Sequence, residues 1–154
     1  MVDIRVQAEP FDAAGEYAAF RRRVPVSGAS VMFVGTVRDV SEGAEIAAMT
    51  LEHYPGMTEK AIAEMVAEAR RRWPLKGVTV IHRHGRLQAG EDIVLVITAA
   101  DHRADAFAAA QFLMDWLKTK APFWKLEETP EGARWVEAKE SDDAAAARWE
   151  QPQG

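Results

Sequence analysis

Residues 77–85, GVTVIHRHG, and 91–100, EDIVLVITAA, are β-rich runs separated by only the five residues RLQAG. A connection that short cannot carry the crossover parallel strands need, so the two runs are expected as antiparallel neighbours. The stretch GASVMFVGTVRDV at 28–40 alternates in the same way, with Val31, Phe33 and Val37 on one face and Met32, Val34 and Arg38 on the other. Gly35 interrupts it as a bulge or a point of close approach. DIRVQ near the start, IAAMTLEHY after the polar turn SEGAE, and ARWVEAKE near the end read as further strands. Helical periodicity marks PGMTEKAIAEMVAEARRRWP, with Thr58 as its cap, Glu59 in its first turn, and Ile62, Met65, Val66, Ala69 and Trp73 as its apolar stripe. A second helix is expected over Arg103–Lys120, ending before Pro122. DAAGEYAAFRRRV and SDDAAAARWE read as shorter helices. Several adjacent strands mixed with helices predict an α+β fold, with helices packed on a mainly antiparallel sheet.

No repeat, low-complexity tract or linker divides the chain, and its 154 residues suit one domain over 1–150 with a frayed tail at 151–154. A hydrophobic share of 48% and a charged share of 28% are those of a soluble globular protein. No apolar run is long enough to span a membrane, and MVDIRVQAEPF is not a secretory signal. The formal charge of −5 argues against a broad nucleic-acid surface while leaving room for a local cationic pocket. There is no cysteine, which excludes disulfides, thiolate metal sites and a cysteine nucleophile, and suggests the cytosol.

Cations gather in LKTKAPFWK at 117–125. On a helical wheel, Phe107, Ala110, Met114 and Leu117 form one apolar flank, Phe112 and Trp116 another, and Gln111, Asp115 and Lys118 a polar strip between them. Two readings of Lys118 and Lys120 stand open. Cations in a last turn favour the helix dipole; alternatively Lys118, its stem beside Met114, loses hydration and becomes a usable base or nucleophile. Lys125 lies beyond the helix, and a turn anchored by Phe123 and Trp124 would return it toward Lys118. At the other helix end, Asp101 is a plausible cap, with His102 and Arg103 in the first turn as either an anion site or a solvated helix start. Arg38 follows FVGTV, where Gly35 would let a ligand approach the backbone and Arg38 grip a phosphate. His82 and His84 share a strand face as paired metal ligands might, but with no further ligand evident they read as surface or interface residues. GTVRD lacks the Walker spacing, and no serine-hydrolase signature occurs.

Taken together, TLEHYPGMTEKAIAEMVAEARRRWP, VTVIHRHGRL, FLMDWLKTKAPFWK and ARWVEAKE resemble the catalytic (large) subunit family of molybdopterin synthase, from about Ile4 to Trp149. That resemblance implies an α+β fold with an α/β-hammerhead portion, working in the cytoplasm. It implies a sulfurtransferase that installs the two dithiolene sulfurs of molybdopterin on cyclic pyranopterin monophosphate. The sulfur would arrive as a thiocarboxylate on the Gly-Gly terminus of a small ubiquitin-like carrier subunit. Two catalytic subunits pair and each binds a carrier, giving a heterotetramer. No metal or organic cofactor is implied, and neither nucleic acid nor membrane is a partner. A chain without cysteine cannot carry the sulfur as its own persulfide, which agrees with an external donor.

Position by position, the resemblance makes Lys118 the principal catalytic residue, closest to the carrier's terminal glycine, and Lys125 a second pocket lysine. Arg38, His102 and Arg103 match pterin- and phosphate-binding positions, flanked in the substrate-binding set by Thr36, Val37, Leu126 and Glu127. Phe33 and Met114 match apolar walls, Lys139 has a secondary role, and part of the pocket comes from the neighbouring subunit. Three positions depart from the family pattern. Thr36 stands where many relatives carry lysine, leaving only a backbone contact; Leu126 replaces a commonly basic residue; Lys139 stands for arginine and loses its planar fork. A module that only docks the carrier's tail is the competing reading, but docking alone does not need so many separated cations.

Overall fold

A computed structural model of the chain describes residues 1–41, 43–136 and 140–150. Lys139, the end of the strand expected in ARWVEAKE, and the tail at 151–154 lie outside the described residues. The first half runs β1 (Val2–Gln7), α1 (Ala13–Arg23), β2 (Ala29–Thr36), a short ribbon β3 (Val40–Ser41) and β4 (Ala44–Glu45), β5 (Ala48–His53), then α2 (Met57–Arg72). The second half runs β6 (Leu75–Arg83), β7 (Gly85–Gln88), β8 (Asp92–Ala100), α3 (Arg103–Thr119), β9 (Phe123–Thr129), β10 (Gly132–Val136) and α4 (Glu140–Ala147).

The fold is α+β, built on two four-stranded sheets, ordered β1-β6-β8-β2 and β10-β9-β5-β7. β6 and β8 pair antiparallel, as their short connection requires, and β2 pairs antiparallel with the far edge of β8. Among the described strands β1 alone runs parallel to its neighbour, joined to β6 through the intervening elements. The RLQAG connector is more than a turn: Gly85–Gln88 forms β7, which leaves the first sheet and joins the second beside β5.

Period-2 alternation sends the side chains of the first sheet into two cores. Val78, Val80, Val94 and Val96 pack with Ile62, Val66 and Ala69 of α2 and with Phe112 and Leu113 of α3. On the reverse face, Ile81, Leu95, Ile97 and Ala99 pack against Phe20 and Val24. The α2 stripe is buried at all five predicted positions. Its cap is different. The cap of α2 lies two residues earlier, at Gly56 with φ 85°, a left-handed conformation suited to glycine. Glu59 accepts the Gly56 N–H at 2.6 Å, while the Thr58 hydroxyl is buried and donates back to the Tyr54 carbonyl at 2.9 Å.

Three other expectations need correcting. Helix α3 starts from His102 without a side-chain cap, because Asp101 turns out to Lys76 at 2.8 Å. Ala106, Ala109 and Ala110 take the buried positions at that end, leaving Phe107 exposed. The register of β2 shifts at Gly35 as predicted, but a Cβ there would lie 2.7 Å from Val94 Cγ1 and 3.3 Å from Phe33 Cε1. Packing inside the protein explains Gly35 without a ligand.

Candidate functional site

Helix α3 follows β8 after a two-residue turn and packs back along the same sheet, so its last turn returns to the end where β8 begins. Leu117 is buried there, in a cluster that also takes in Ile93, Val94, Ala121 and Phe123. Lys118 stands exposed on that last turn. Lys120, at the helix C-cap, is engaged elsewhere: its amine pairs with Glu150 at 3.3 Å and lies 5.2 Å from the Trp116 ring centre. The predicted polar strip is also divided. Asp115 is buried and accepts from the Trp149 indole at 2.7 Å, Arg148 at 3.0 Å and Gln111 at 2.8 Å, tying the C-terminal segment to the turn that precedes Lys118.

After Pro122 the chain becomes β9, whose alternation separates the two expected aromatic anchors. Phe123 is the anchor: its ring stacks on His82 with centres 3.9 Å apart, and it packs against both the α2–α3 core and the core of the second sheet. Trp124 faces the opposite way, exposed, edge-on to Tyr54 at 4.6 Å. Lys125 shares the Phe123 face, half-buried opposite Leu51. Glu127 follows on that face, buried and paired with Arg134 at 3.4 Å, whose guanidinium also donates to the Ser41 carbonyl. Leu126 lies on the outer face across from Trp135.

The end of β2 belongs to the same end of the sheet. Thr36 pairs with Asp92 at the start of β8, and the Val37 N–H donates to the Glu91 carbonyl at 2.9 Å. Val37 is buried in one cluster with Met49, Leu51 and Leu87, against which Phe123 also packs, and Arg38 is exposed just beyond it. Of the predicted walls, Met114 is buried in the α2–α3 core and Phe33 is partly exposed on the β2 edge.

His102 and Arg103 occupy the opposite end of α3. Fifteen residues separate Arg103 from Lys118 within one helix, about 23 Å at 1.5 Å per residue. Within a single chain, therefore, Lys118 and the end of β2 share one end of the molecule, and His102–Arg103 lies at the other.

Sequence reasoning read two histidines as surface or interface residues and passed over a third. His82 is buried, not a surface residue, and His84 is half-buried. A third imidazole joins them: His53, at the end of β5, lies 4.2 Å from His84 and 6.3 Å from Phe123, ring centre to ring centre. The cluster sits at the seam where the chain passes from the first sheet into the second. Burial pushes His82 down to about 4, and the charges of Lys118, His53 and His84 push the same way; a hydrogen bond of 2.8 Å to the Arg83 carbonyl opposes them. Burial also lowers His84, assisted by His53 and opposed by Glu9, Glu59 and Glu52. His53 Nδ1 is buried with no hydrogen-bond partner among the described residues. No metal-holding group of His, Cys, Asp or Glu is found among the described residues. The i, i+2 spacing of His82 and His84 was visible in the sequence; what brings His53 to them is the pairing of β5 with β7.

The model for the family "MoaE protein" matches residues 6–120. The chain is 58% identical over 146 residues to the molybdopterin synthase catalytic subunit of Escherichia coli strain K12, covering 95% of this chain and 97% of that protein. Among solved structures it resembles the molybdopterin biosynthesis MoaE protein of Burkholderia ambifaria MC40-6, with a TM-score of 0.83 and 56% identity, covering 99% of this chain and 100% of the other. A molybdopterin synthase structure from Staphylococcus aureus aligns with a TM-score of 0.77 at 28% identity, over 86% of this chain and 96% of that one.

Proposed function

The chain belongs to the MoaE protein family, and from that premise we propose that it is the catalytic subunit of a molybdopterin synthase. It moves sulfur from the C-terminal thiocarboxylate of a small carrier subunit onto cyclic pyranopterin monophosphate, making the dithiolene of molybdopterin. The observation that carries this reading is identity of 58% across 95% of the chain to a protein of that name. A cytoplasmic setting suits the chemistry, because a reducing compartment keeps the product's thiols from oxidising.

The chemistry assigns work to the cations. When sulfur stays with the pterin, the acyl–sulfur bond of the carrier must break. Water adds to the acyl carbon, its oxygen stays as the carrier's carboxylate, the sulfur leaves as a thiolate, and two protons are given up. Lys118, exposed on the last turn of α3, stabilises the oxyanion at that acyl carbon or moves one of these protons. Lys125 assists from β9 and neutralises substrate charge. Arg38 grips the phosphate, with Thr36 and Val37 offering backbone contacts beside it. His102 and Arg103 bind the same anionic substrate, and the roughly 23 Å along α3 between them and Lys118 supports their coming from a second copy of the chain. The working unit is then a dimer of catalytic subunits, each with its own carrier.

The test is Lys118→Ala, assayed with thiocarboxylated carrier and cyclic pyranopterin monophosphate. The expected result is a kcat lower by about 10²–10³-fold, with carrier binding and melting temperature close to the parent's. Near-normal turnover by that variant would remove Lys118 from the mechanism. A parent protein that leaves the pterin unsulfurated would remove the function itself.

A further inference from the structure

Sulfur transfer of this kind releases protons, and the side chains that can take them at neutral pH are few. Lysines are ordinarily charged there and carboxylates ordinarily ionised; imidazole is the side chain whose ordinary range spans neutrality. The seam between the two sheets places three imidazoles between the lysine-bearing elements. His82 feels the charge of Lys118 and stacks at 3.9 Å on Phe123. Phe123 is the residue directly opposite His53 in the β5–β9 register, which puts His53 diagonal to Lys125 on the same face, a spacing of roughly 7–8 Å in an antiparallel pair. His53 in turn lies 4.2 Å from His84. Resting on the sulfurtransferase reading above, we propose that His53 and His84 form a proton-accepting pair serving Lys118 and Lys125, with His82 as the fixed neutral ring that holds Phe123 in place beside them.

The three rings are suited to different parts. His82 has its Nδ1 committed to the Arg83 carbonyl and stays neutral throughout the working pH range, so it positions rather than titrates. His53 carries a buried Nδ1 with no partner among the described residues, an atom left open for a proton. His84 is half-buried and therefore within reach of solvent, and burial together with His53 keeps it neutral until a proton arrives. Two imidazoles this close do not both hold a charge easily, so a proton taken by one is passed to the other or to water instead of being stored. The carboxylates that favour the protonated form of His84 are Glu9 from the segment after β1, Glu59 from α2 and Glu52 from β5; Lys118 acts on His82, and Lys125 shares the face of His53. His53 and His84 act through the lysines in this scheme and not on the reacting atoms themselves.

The experiment compares the parent with His53→Gln and His84→Gln in the assembled synthase, measuring kcat and KM for the pterin from pH 5 to 9 in steady state. Each variant is expected to lose about 10- to 100-fold in kcat with KM changed less than threefold, to lose the acid limb of the parent's pH–rate profile, and to regain activity when free imidazole is added. Full kcat with an unshifted profile in both variants overturns the proposal. So does a loss that imidazole does not restore and that leaves the profile's shape intact, since that is what a packing role gives. If His53→Gln fails to fold, His84→Gln decides by the same criteria. Failure of the parent to sulfurate the pterin would strike the functional reading; a competent parent with indifferent histidine variants would strike this proposal alone.

Discussion

Acid should weaken this protein in part through His82, and the size of that share follows from where the ring sits. The ring is buried, and its pKa falls from the ordinary 6.5 to about 4. The unfolded chain binds a proton at His82 near pH 6.5, whereas the folded chain resists it down to about 4. The contribution to stability is therefore complete above pH 6.5, declines as the pH falls through that value, and levels off below about 4. At 1.36 kcal/mol per pH unit, the loss is about 1 kcal/mol at pH 5.5 and about 3 kcal/mol at pH 4.5. Against a total stability of about 5–15 kcal/mol, that is a large share. His82→Phe keeps a flat ring against Phe123 and removes the proton site, at the cost of the hydrogen bond to the Arg83 carbonyl, about 1 kcal/mol. Urea unfolding of both proteins at pH 7.5, 5.5 and 4.5 separates His82 from every carboxylate and histidine the two share. The parent should fall behind the variant by about 3 kcal/mol between the extremes, or roughly 1.5 M in urea midpoint for a chain of this size. Parallel decline of the two curves would mean that His82 is protonated in the fold without penalty, and the neutral ring would be lost.

Asp115→Ala should destabilise by about 2–4 kcal/mol, because it strands the buried Trp149 indole N–H and frees Arg148; a lower urea midpoint and a red-shifted tryptophan emission would register it. Gly28→Ala should cost about 1–3 kcal/mol or more, read as a drop in melting temperature, since the new Cβ would lie 1.8 Å from the Asp101 carbonyl oxygen and the backbone must move. Mixing Lys118→Ala chains with Arg103→Ala chains, each inactive alone, should restore about a quarter of parental turnover. Half of a random mixture is the mixed dimer, and one of its two sites is intact. No recovery, with subunit exchange demonstrated, would put both residues in one chain's site.

The elements were legible because local physics sets them. The β-branched alternation of 77–85 and 91–100 and the five-residue connector between them leave little choice but an antiparallel pair, and the stripe from Ile62 to Trp73 specifies the buried face of α2. Details that depend on competition between near-equal partners were less legible. Thr58 is a good cap by residue type, but the chain closes at Gly56 because a left-handed glycine lets the Glu59 carboxylate reach back. Asp101 is likewise a good cap by type, and it is drawn away by Lys76, a residue whose proximity no local pattern announces. The exchange of β7 into the second sheet was hidden for the same reason: four residues carry no period long enough to read.

The site divides along the same line. The cations of KTKAPFWK and the resemblance they carry were apparent in one dimension, while the histidine seam exists only after three strands from two sheets have met. The length of α3 is the one long-range constraint that the sequence does hold. A helix from Arg103 to Thr119 is a rod, and a rod fixes the distance between its ends whatever packs around it. Residues in its first turn reach a substrate held at its last turn more readily from a second copy than from the same chain, which is what the mixing experiment tests. Asp115 and its ties to Trp149 and Arg148 then matter for more than stability. They brace the turn that presents Lys118, so the terminus of each chain helps hold the lysine proposed to act at the acyl carbon.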